Sequence, residues 1–176
     1  MAGPGDVPSI DTERLTLRGY RKDDFPEVAA TWADPVVTKF IGGKPLTEEE
    51  VWSKFLRQVG HWSIAGFGYW VVREKATARY VGEVGFADFK REMEPSITGI
   101  PEQGWVLQPW CHGKGYATEA VKTSLAWAKE HLTREPRRVC IIDDGNAASI
   151  RVAEKCGYRE RTRTTYKGSP IILLEQ

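Results

Sequence analysis

The residues from Cys111 to Ala120 have the types and spacing that point most directly to chemistry. Gly113 and Gly115 flank Lys114, after a short apolar run and before a strongly amphipathic helix pattern. Glycines at a strand-to-helix turn let the backbone approach a bulky anion, which the free N–H groups and positive dipole end of the helix then hold. The pattern therefore predicts a phosphate-binding loop, and we expect the phosphates to belong to a coenzyme.

Two other phosphate-binding motifs are excluded by the residues around this loop. The third glycine of Gly-x-Gly-x-x-Gly is missing, and the P-loop spacing before Gly-Lys-Ser/Thr is absent. The six residues 112–117 resemble instead the Gln/Arg-x-x-Gly-x-Gly/Ala signature of the GNAT superfamily of N-acetyltransferases. In that family the loop binds the pyrophosphate of acetyl-coenzyme A. His112 stands where the family usually has Gln or Arg, a mild departure because backbone N–H groups supply much of the binding.

The resemblance extends over nearly the whole chain and is closest to the branch of ribosomal-protein-alanine N-acetyltransferases. Four stretches carry it in order: residues 12–18, residues 102–107, residues 113–120, and residues 146–149 continuing to 154–158. It implies an α+β (α/β-type) fold. We expect a mixed, mostly antiparallel central sheet of about six to seven strands, flanked by about four helices, with a splay between the fourth and fifth strands.

The resemblance also implies which residues bind acetyl-CoA, as co-substrate. The strand before the loop exposes backbone N–H groups to the pantetheine arm, the loop and first helical turn bind the pyrophosphate, and a second helix start touches the coenzyme. These positions are Trp105, Val106, Leu107, His112, Gly113, Lys114, Gly115, Tyr116, Ala117, Thr118, Asn146 and Ser149.

Acetyl transfer to an amine needs a proton acceptor, because a primary alkylamine has a pKa near ~10. It also needs hydrogen-bond donors aimed at the developing charge on the thioester carbonyl. Glu102 matches the acidic residue that the resembling branch uses to deprotonate the amine, directly or through water. Glu83 is a rival on the neighbouring predicted strand, Asp88 is a weaker one, and a solvated carboxylate with no such role is the alternative for Glu102.

Departure of the thiolate is helped by a proton donor, and the resemblance places Ser149 in that role. Asn146 and Ser149 have N-cap and N3 spacing, so helix capping alone would also explain Asn146. Tyr158 is a second possible acid. Cys111 has no His/Asp partner pattern that would make it a nucleophile. The three histidines lack metal-ligand spacing, so we expect no metal.

Composition narrows the class of protein. The 176 residues are 41% hydrophobic and 28% charged, with a net charge of +1, so neither nucleic acid nor membrane is an expected partner. Three cysteines in no paired spacing suit a reducing compartment, and the start of the chain does not have a signal-peptide pattern, so we expect a cytoplasmic protein. We expect a flexible tail over residues 1–9 and one domain over residues 10–176, as a monomer or homodimer.

Hydrophobic periodicity predicts the elements that position these residues. Strands are expected over 12–20, 68–73, 80–86, 102–107, 138–142, 158–166 and 171–174. Helices are expected from Asp23 to about Trp32, ended by Asp34-Pro35, then from Thr47 through Trp62, after the glycine loop, and over 146–156. Thr47 and Glu50 form a predicted capping box, and Gly157 a predicted C-terminal cap.

The sequence therefore favours an enzyme that transfers acetyl from acetyl-CoA to a primary amine by direct attack in a ternary complex. A protein N-terminal amine is the favoured acceptor. Polyamines, free amino acids and aminoglycosides are alternatives within the same class. A coenzyme-binding sensor without turnover is an alternative from a different class, which the presence of both Glu102 and Ser149 disfavours.

Overall fold

The computed structural model describes residues 6–176, which form one sheet with helices on both faces. The strands are β1 (Ile10–Asp11), β2 (Leu15–Arg18), β3 (Tyr69–Glu74), β4 (Tyr80–Ala87), β5 (Glu102–Leu107), β6 (Val139–Asp143), β7 (Arg159–Tyr166) and β8 (Ser169–Glu175). The helices are α1 (Phe25–Trp32), α2 (Pro35–Thr38), α3 (Glu48–Ala65), α4 (Tyr116–His131) and α5 (Ala147–Lys155), with 3-10 turns at Lys22–Asp24 and Pro109–Cys111.

The strand order in the sheet is β1-β2-β3-β4-β5-β6-β8-β7. Every neighbouring pair is antiparallel except β5 and β6, which are parallel and meet only where Glu102 lies opposite Val139. Beyond that pair the two strands separate. The α+β class, the mostly antiparallel sheet and the splay between the predicted fourth and fifth strands are therefore confirmed.

Alternating side chains divide the core between the two faces of the sheet. The larger cluster packs α4 and α5 against one face, with Trp70, Phe86 and Leu125 among its buried members. The smaller cluster packs α1 and α3 against the other face, and Val71, Val28 and Phe55 are among its buried members. Each side chain of β5 therefore lies either on the α4 face or on the α3 face of the sheet.

Two counts differ from the sequence prediction, and each has a local cause. The predicted strand 12–20 is shortened to β2, because Thr12 forms a turn with Leu15, and the additional two-residue β1 before that turn raises the strand count to eight. Asp34-Pro35 does end α1, but the Asp34 side chain also accepts a hydrogen bond from the Val36 N–H at 2.8 Å. That cap starts α2, a fifth helix.

The predicted helix caps are confirmed. Thr47 and Glu50 form the reciprocal capping box at the start of α3, and Gly157 follows α5 with a φ of +93°. The carboxylate of Asp24 accepts hydrogen bonds from Arg18 and Arg73, which ties the start of α1 to β2 and β3. This network fixes the position of α1 and hence of Trp32 at its end.

The predicted tail covers residues 1–9, of which residues 1–5 lie outside the described part of the chain. Within the rest, Val7 packs against the larger core cluster and the Trp70 indole donates a hydrogen bond to the Pro8 carbonyl at 2.8 Å. Among residues 6–176, none of the helices is long and apolar enough to cross a membrane.

Candidate active site

The glycine loop joins β5 to α4 and presents an uninterrupted run of backbone donors. Gly113 and Gly115 have φ values of +75° and +79°, the left-handed region that favours glycine. No backbone N–H from residue 113 to residue 118 donates a hydrogen bond to any group in the described chain. Six successive unsatisfied N–H groups at the start of a 16-residue helix form a site suited to an anion such as a pyrophosphate.

Arg14 holds this loop in place, although nothing in the local sequence pattern indicates that role. Its guanidinium donates to the Lys114 carbonyl at 2.8 Å and forms a 2.7 Å ion pair with Glu119 in the first turn of α4. Glu119 also accepts a hydrogen bond from the Thr12 hydroxyl. Because Arg14 and Lys114 are a hundred residues apart, only the fold brings them together.

The side chains of the loop turn away from its row of N–H groups. A ring nitrogen of His112 lies 3.0 Å from the Leu107 carbonyl, and the buried Tyr116 donates its hydroxyl hydrogen to Glu74. The Lys114 ammonium lies over the Trp110 ring, and the Arg79 guanidinium carbon lies 3.9 Å from the centre of the same ring. The loop therefore offers backbone donors with exposed cations at its rim. Arg79, like Arg14, was missed by the sequence analysis.

The gap between β5 and β6 begins beside this loop. All six residues of β5 pair with β4, but only Glu102 pairs with β6. In an antiparallel strand alternate residues direct their N–H and C=O groups to the opposite edge, so part of the backbone over residues 103–107 faces the gap. Trp105 and Leu107 lie on the α4 face and Val106 on the α3 face. These are the residues predicted to bind the pantetheine arm.

The start of α5 follows β6 on the far side of the gap. The Asn146 side chain accepts a hydrogen bond from the Ser149 N–H at 3.2 Å, as its capping position predicts. The half-buried Ser149 hydroxyl forms no hydrogen bond within residues 6–176, so its proton is available to a bound molecule.

Two other candidate groups are occupied elsewhere. The buried Tyr158 donates its hydroxyl hydrogen to the Gln103 side chain at 2.6 Å, which does not suit the second proton donor considered from the sequence. Burial raises the pKa of the Cys111 thiol to about 11. A thiol with that pKa stays protonated at neutral pH and is a poor nucleophile.

Glu102 lies at the closed end of the gap, with its side chain 5% exposed. It accepts two hydrogen bonds from the Arg91 guanidinium, at 2.6 and 2.8 Å. Burial raises the pKa of the Glu102 carboxyl, while the Arg91 pair opposes that shift. A higher pKa suits a proton acceptor, but a proton transferred to Glu102 must compete with Arg91.

Glu83 lies on the same face of the sheet and opposite Val106, nearer the open part of the gap. Its buried carboxylate accepts hydrogen bonds from the Tyr20 hydroxyl and, at 2.7 Å, from the Trp32 indole. Asp88 is paired with Lys90 at the protein surface. The structure thus puts two buried carboxylates of different environment on the α3 side of β5.

Gly104 lies between these carboxylates on the α3 face of β5. A Cβ there would come within 2.1 Å of the Tyr69 hydroxyl oxygen, so glycine is required for Tyr69 to lie across β5. The aromatic ring and hydroxyl of the buried Tyr69 therefore lie across β5 between Glu102 and Glu83.

Comparison with known proteins identifies the class that this site defines. A sequence model of the acetyltransferase (GNAT) domain matches residues 14–159, so the chain belongs to that family and is an acetyltransferase. The uncharacterized N-acetyltransferase p20 of Bacillus licheniformis is 27% identical over 155 residues, spanning 88% of this chain and 84% of that protein.

Solved structures agree with this assignment. A protein of Bordetella pertussis assigned to the GNAT family of acetyltransferases has a TM-score of 0.84 and 27% identity, covering 96% of this chain and 99% of its own. Ribosomal-protein-S5-alanine acetyltransferase of Vibrio fischeri has a TM-score of 0.73 at 18% identity, covering 96% of each chain. Spermidine N-acetyltransferase of Vibrio cholerae has a TM-score of 0.72 at 15% identity, covering 94% and 96%. The last two likenesses concern the fold alone.

The phosphate-binding role predicted for the loop implies a difference between two glycine substitutions. Gly115→Ala and Gly168→Ala both place alanine at a φ near +80°, so each should lower the free energy of unfolding by about 1 kcal/mol. Only Gly115 lies in the loop, where its Cβ would meet the Arg14 guanidinium at 3.4 Å, and we expect Gly115→Ala to weaken acetyl-CoA binding at least tenfold by calorimetry. Equal affinity of the two variants would show that the loop does not bind the coenzyme.

Proposed function

We propose that this chain transfers the acetyl group of acetyl-CoA directly to a primary amine, both substrates being bound at once. The observation that carries the proposal is the run of six unsatisfied N–H groups where α4 begins, beside the gap between β5 and β6. The run of N–H groups suits a charged pyrophosphate, and the gap between the two strands suits an extended chain with amide groups. Family membership supports acetyl transfer as the reaction.

The coenzyme would be held mainly by backbone groups. Residues Gly113–Thr118 would donate to the pyrophosphate, and the exposed edge of β5 at Trp105, Val106 and Leu107 would bind the pantetheine amides. His112 and Lys114 are at the rim, and Asn146 and Ser149 would complete the site from α5. The thioester carbonyl then lies beside β5, where N–H groups facing the gap can stabilise its developing negative charge.

The amine must lose a proton before or during attack, and two carboxylates on the α3 face could receive it. Glu102 has the raised pKa expected of an acceptor, and Arg91 holds it in one orientation. Glu83 is the second candidate because it lies opposite Val106. We propose Glu102 as the base, acting directly or through water, with Glu83 as the alternative.

Ser149 is the proposed proton donor to the departing thiolate, because its hydroxyl hydrogen is not used within the described residues. The coenzyme thiol is similar to that of cysteine, whose pKa is ~8.5, so the thiolate can leave without help and a proton donor increases the rate only modestly.

For the acceptor, the sequence resemblance favours a protein N-terminal amine. Polyamines, amino acids and aminoglycosides satisfy the same chemistry at the reacting nitrogen.

The base role can be separated from the ion pair by comparing Glu102→Gln with Arg91→Gln. Both break the same buried pair, so both should lower stability by about 3 kcal/mol. Only Glu102→Gln removes the proton acceptor, and its kcat should fall about a hundredfold at pH 7 with unchanged acetyl-CoA affinity. That loss should shrink as pH rises, because more of the amine is then already neutral.

Arg91→Gln should keep most of the turnover, since the carboxylate remains. An equal loss in the two variants would mean that Glu102 serves only the ion pair. If Glu102→Gln keeps the wild-type rate, Glu83 or water accepts the proton instead. Steady-state thiol release and a denaturant titration of each variant supply the two measurements.

Ser149→Ala tests the proton donor. We expect a fall in kcat of about tenfold to a hundredfold with little change in stability, because the hydroxyl makes no hydrogen bond to the described protein. Ser63→Ala, an exposed position on α3, is the matched control and should leave kcat unchanged. If Ser149→Ala weakens acetyl-CoA binding while kcat stays at the wild-type value, Ser149 is a binding residue only.

A further inference from the structure

The α3 side of the sheet, where the two candidate bases lie, also carries positively charged side chains. Lys54 and Arg57 project from α3, and Arg91 forms an ion pair with Glu102 at 2.6 Å. The Lys54 ammonium lies over the Trp32 ring, whose indole donates to Glu83, and the Arg57 and Arg91 guanidinium groups both lie over the Phe89 ring.

The two carboxylates are already satisfied. Glu102 has both oxygens bonded to Arg91, and Glu83 has its oxygens bonded to Tyr20 and Trp32. A polycationic acceptor would have to displace these donors to gain an ion pair. Neither of these two carboxylates is therefore free to recognise a polycation such as spermidine or an aminoglycoside.

Two cations lack a counter-ion in the described part of the chain. The Lys54 ammonium, half-buried, lies 4.3 Å from the centre of the Trp32 ring and forms no ion pair or hydrogen bond. The exposed Arg57 guanidinium lies over the Phe89 ring, as does that of Arg91, and Arg57 is without an ion pair within the described residues. Burial lowers the pKa of Lys54 to about 8. Desolvation of an ammonium without a counter-ion is unfavourable, which points to a ligand that supplies one.

A third group on the same helix also lacks a partner. Gln58 lies one turn beyond Lys54 in the buried stripe of α3, is 1% exposed, and has neither its amide oxygen nor its amide nitrogen hydrogen-bonded. Buried side-chain amides are normally paired. Lys54, Arg57 and Gln58 place an ammonium, a guanidinium and an amide within five consecutive residues of one helix, and these groups can donate hydrogen bonds to a carboxylate.

We propose that the acceptor is a small amine of the amino-acid type, in place of the protein N-terminal amine that the sequence resemblance favours, and that its carboxylate is bound by Lys54 and Arg57 on α3. This inference rests on the proposed acetyl transfer and names its substrate class. The carboxylate stays bound and unchanged during the reaction, while the amine nitrogen attacks the thioester across β5. Lys54 and Arg57 would thus select amines that carry a carboxylate from among amines that react equally well at the nitrogen.

The test uses acceptors in pairs that differ only in the anion, with thiol release from acetyl-CoA as the measurement. Each of a series of amino acids is compared with its own carboxamide, and 2-aminoethyl phosphate is compared with ethanolamine. Spermidine and an aminoglycoside represent the polycations. The carboxamide amine is the less basic of its pair, so more of it is neutral at pH 7. A preference for the acid therefore cannot come from amine reactivity.

We expect kcat/KM for the best amino acid to exceed that for its carboxamide at least tenfold. Lys54→Met and Arg57→Gln should each reduce this ratio toward one, mainly through KM for the acid. Lys129→Met, an exposed lysine on α4 at the other face of the sheet, should leave the ratio unchanged. If 2-aminoethyl phosphate is preferred over every amino acid, the two cations bind a phosphate rather than a carboxylate, and the amino-acid assignment is overturned.

The inference is also overturned if carboxamides or polycations are acetylated as well as or better than the acids, or if no anionic amine is acetylated at all. These results leave the proposed function intact as long as some amine is acetylated. Failure of every amine together with absence of acetyl-CoA binding by calorimetry would instead reject the proposed function itself.

Discussion

The separation of β5 from β6 after a single residue pair is the constraint on which the site depends. Two neighbouring parallel strands would normally share a ladder, and unpaired backbone groups in a protein interior are costly. Here each of the two strands that border the gap pairs with another strand on its opposite edge. β5 pairs with β4 along all six residues, and β6 pairs with β8 from Val139 to Asp143. The gap is therefore a fixed opening between two rigid ladders.

That opening also sets the positions of the two helix starts. β5 and β6 run parallel, so the chain leaves both strands at the same end of the sheet, where α4 and α5 begin. One helix start presents unsatisfied N–H groups, and the other presents the Asn146 cap and the Ser149 hydroxyl. Arg14 and Glu119 fix the first of these against β2. A coenzyme with a charged head and an extended arm matches this arrangement of donors.

The sequence predicted the elements that follow from local patterns. The glycine loop, the α4 stripe, the Thr47 capping box and the alternating strands all depend on residues close together in the chain, and all were found. The short α2 was missed because Asp34-Pro35 can either end a helix or cap a new one. Roles that depend on distant partners could not be read in advance. Arg14 with Lys114, Arg91 with Glu102, and Lys54 over Trp32 are juxtapositions that only the folded sheet creates.

The central claim is that the N–H groups of the loop and the edge of β5 together bind acetyl-CoA. Thermal unfolding in the presence of different nucleotides measures this most directly. At a hundred times the dissociation constant, acetyl-CoA and coenzyme A should each stabilise the protein by about 2.7 kcal/mol and raise Tm by about 5 to 10 °C. NAD and ATP carry a pyrophosphate but no pantetheine arm, and at the same concentration should change Tm little. Equal stabilisation by NAD or ATP, or no shift with acetyl-CoA, would contradict the account.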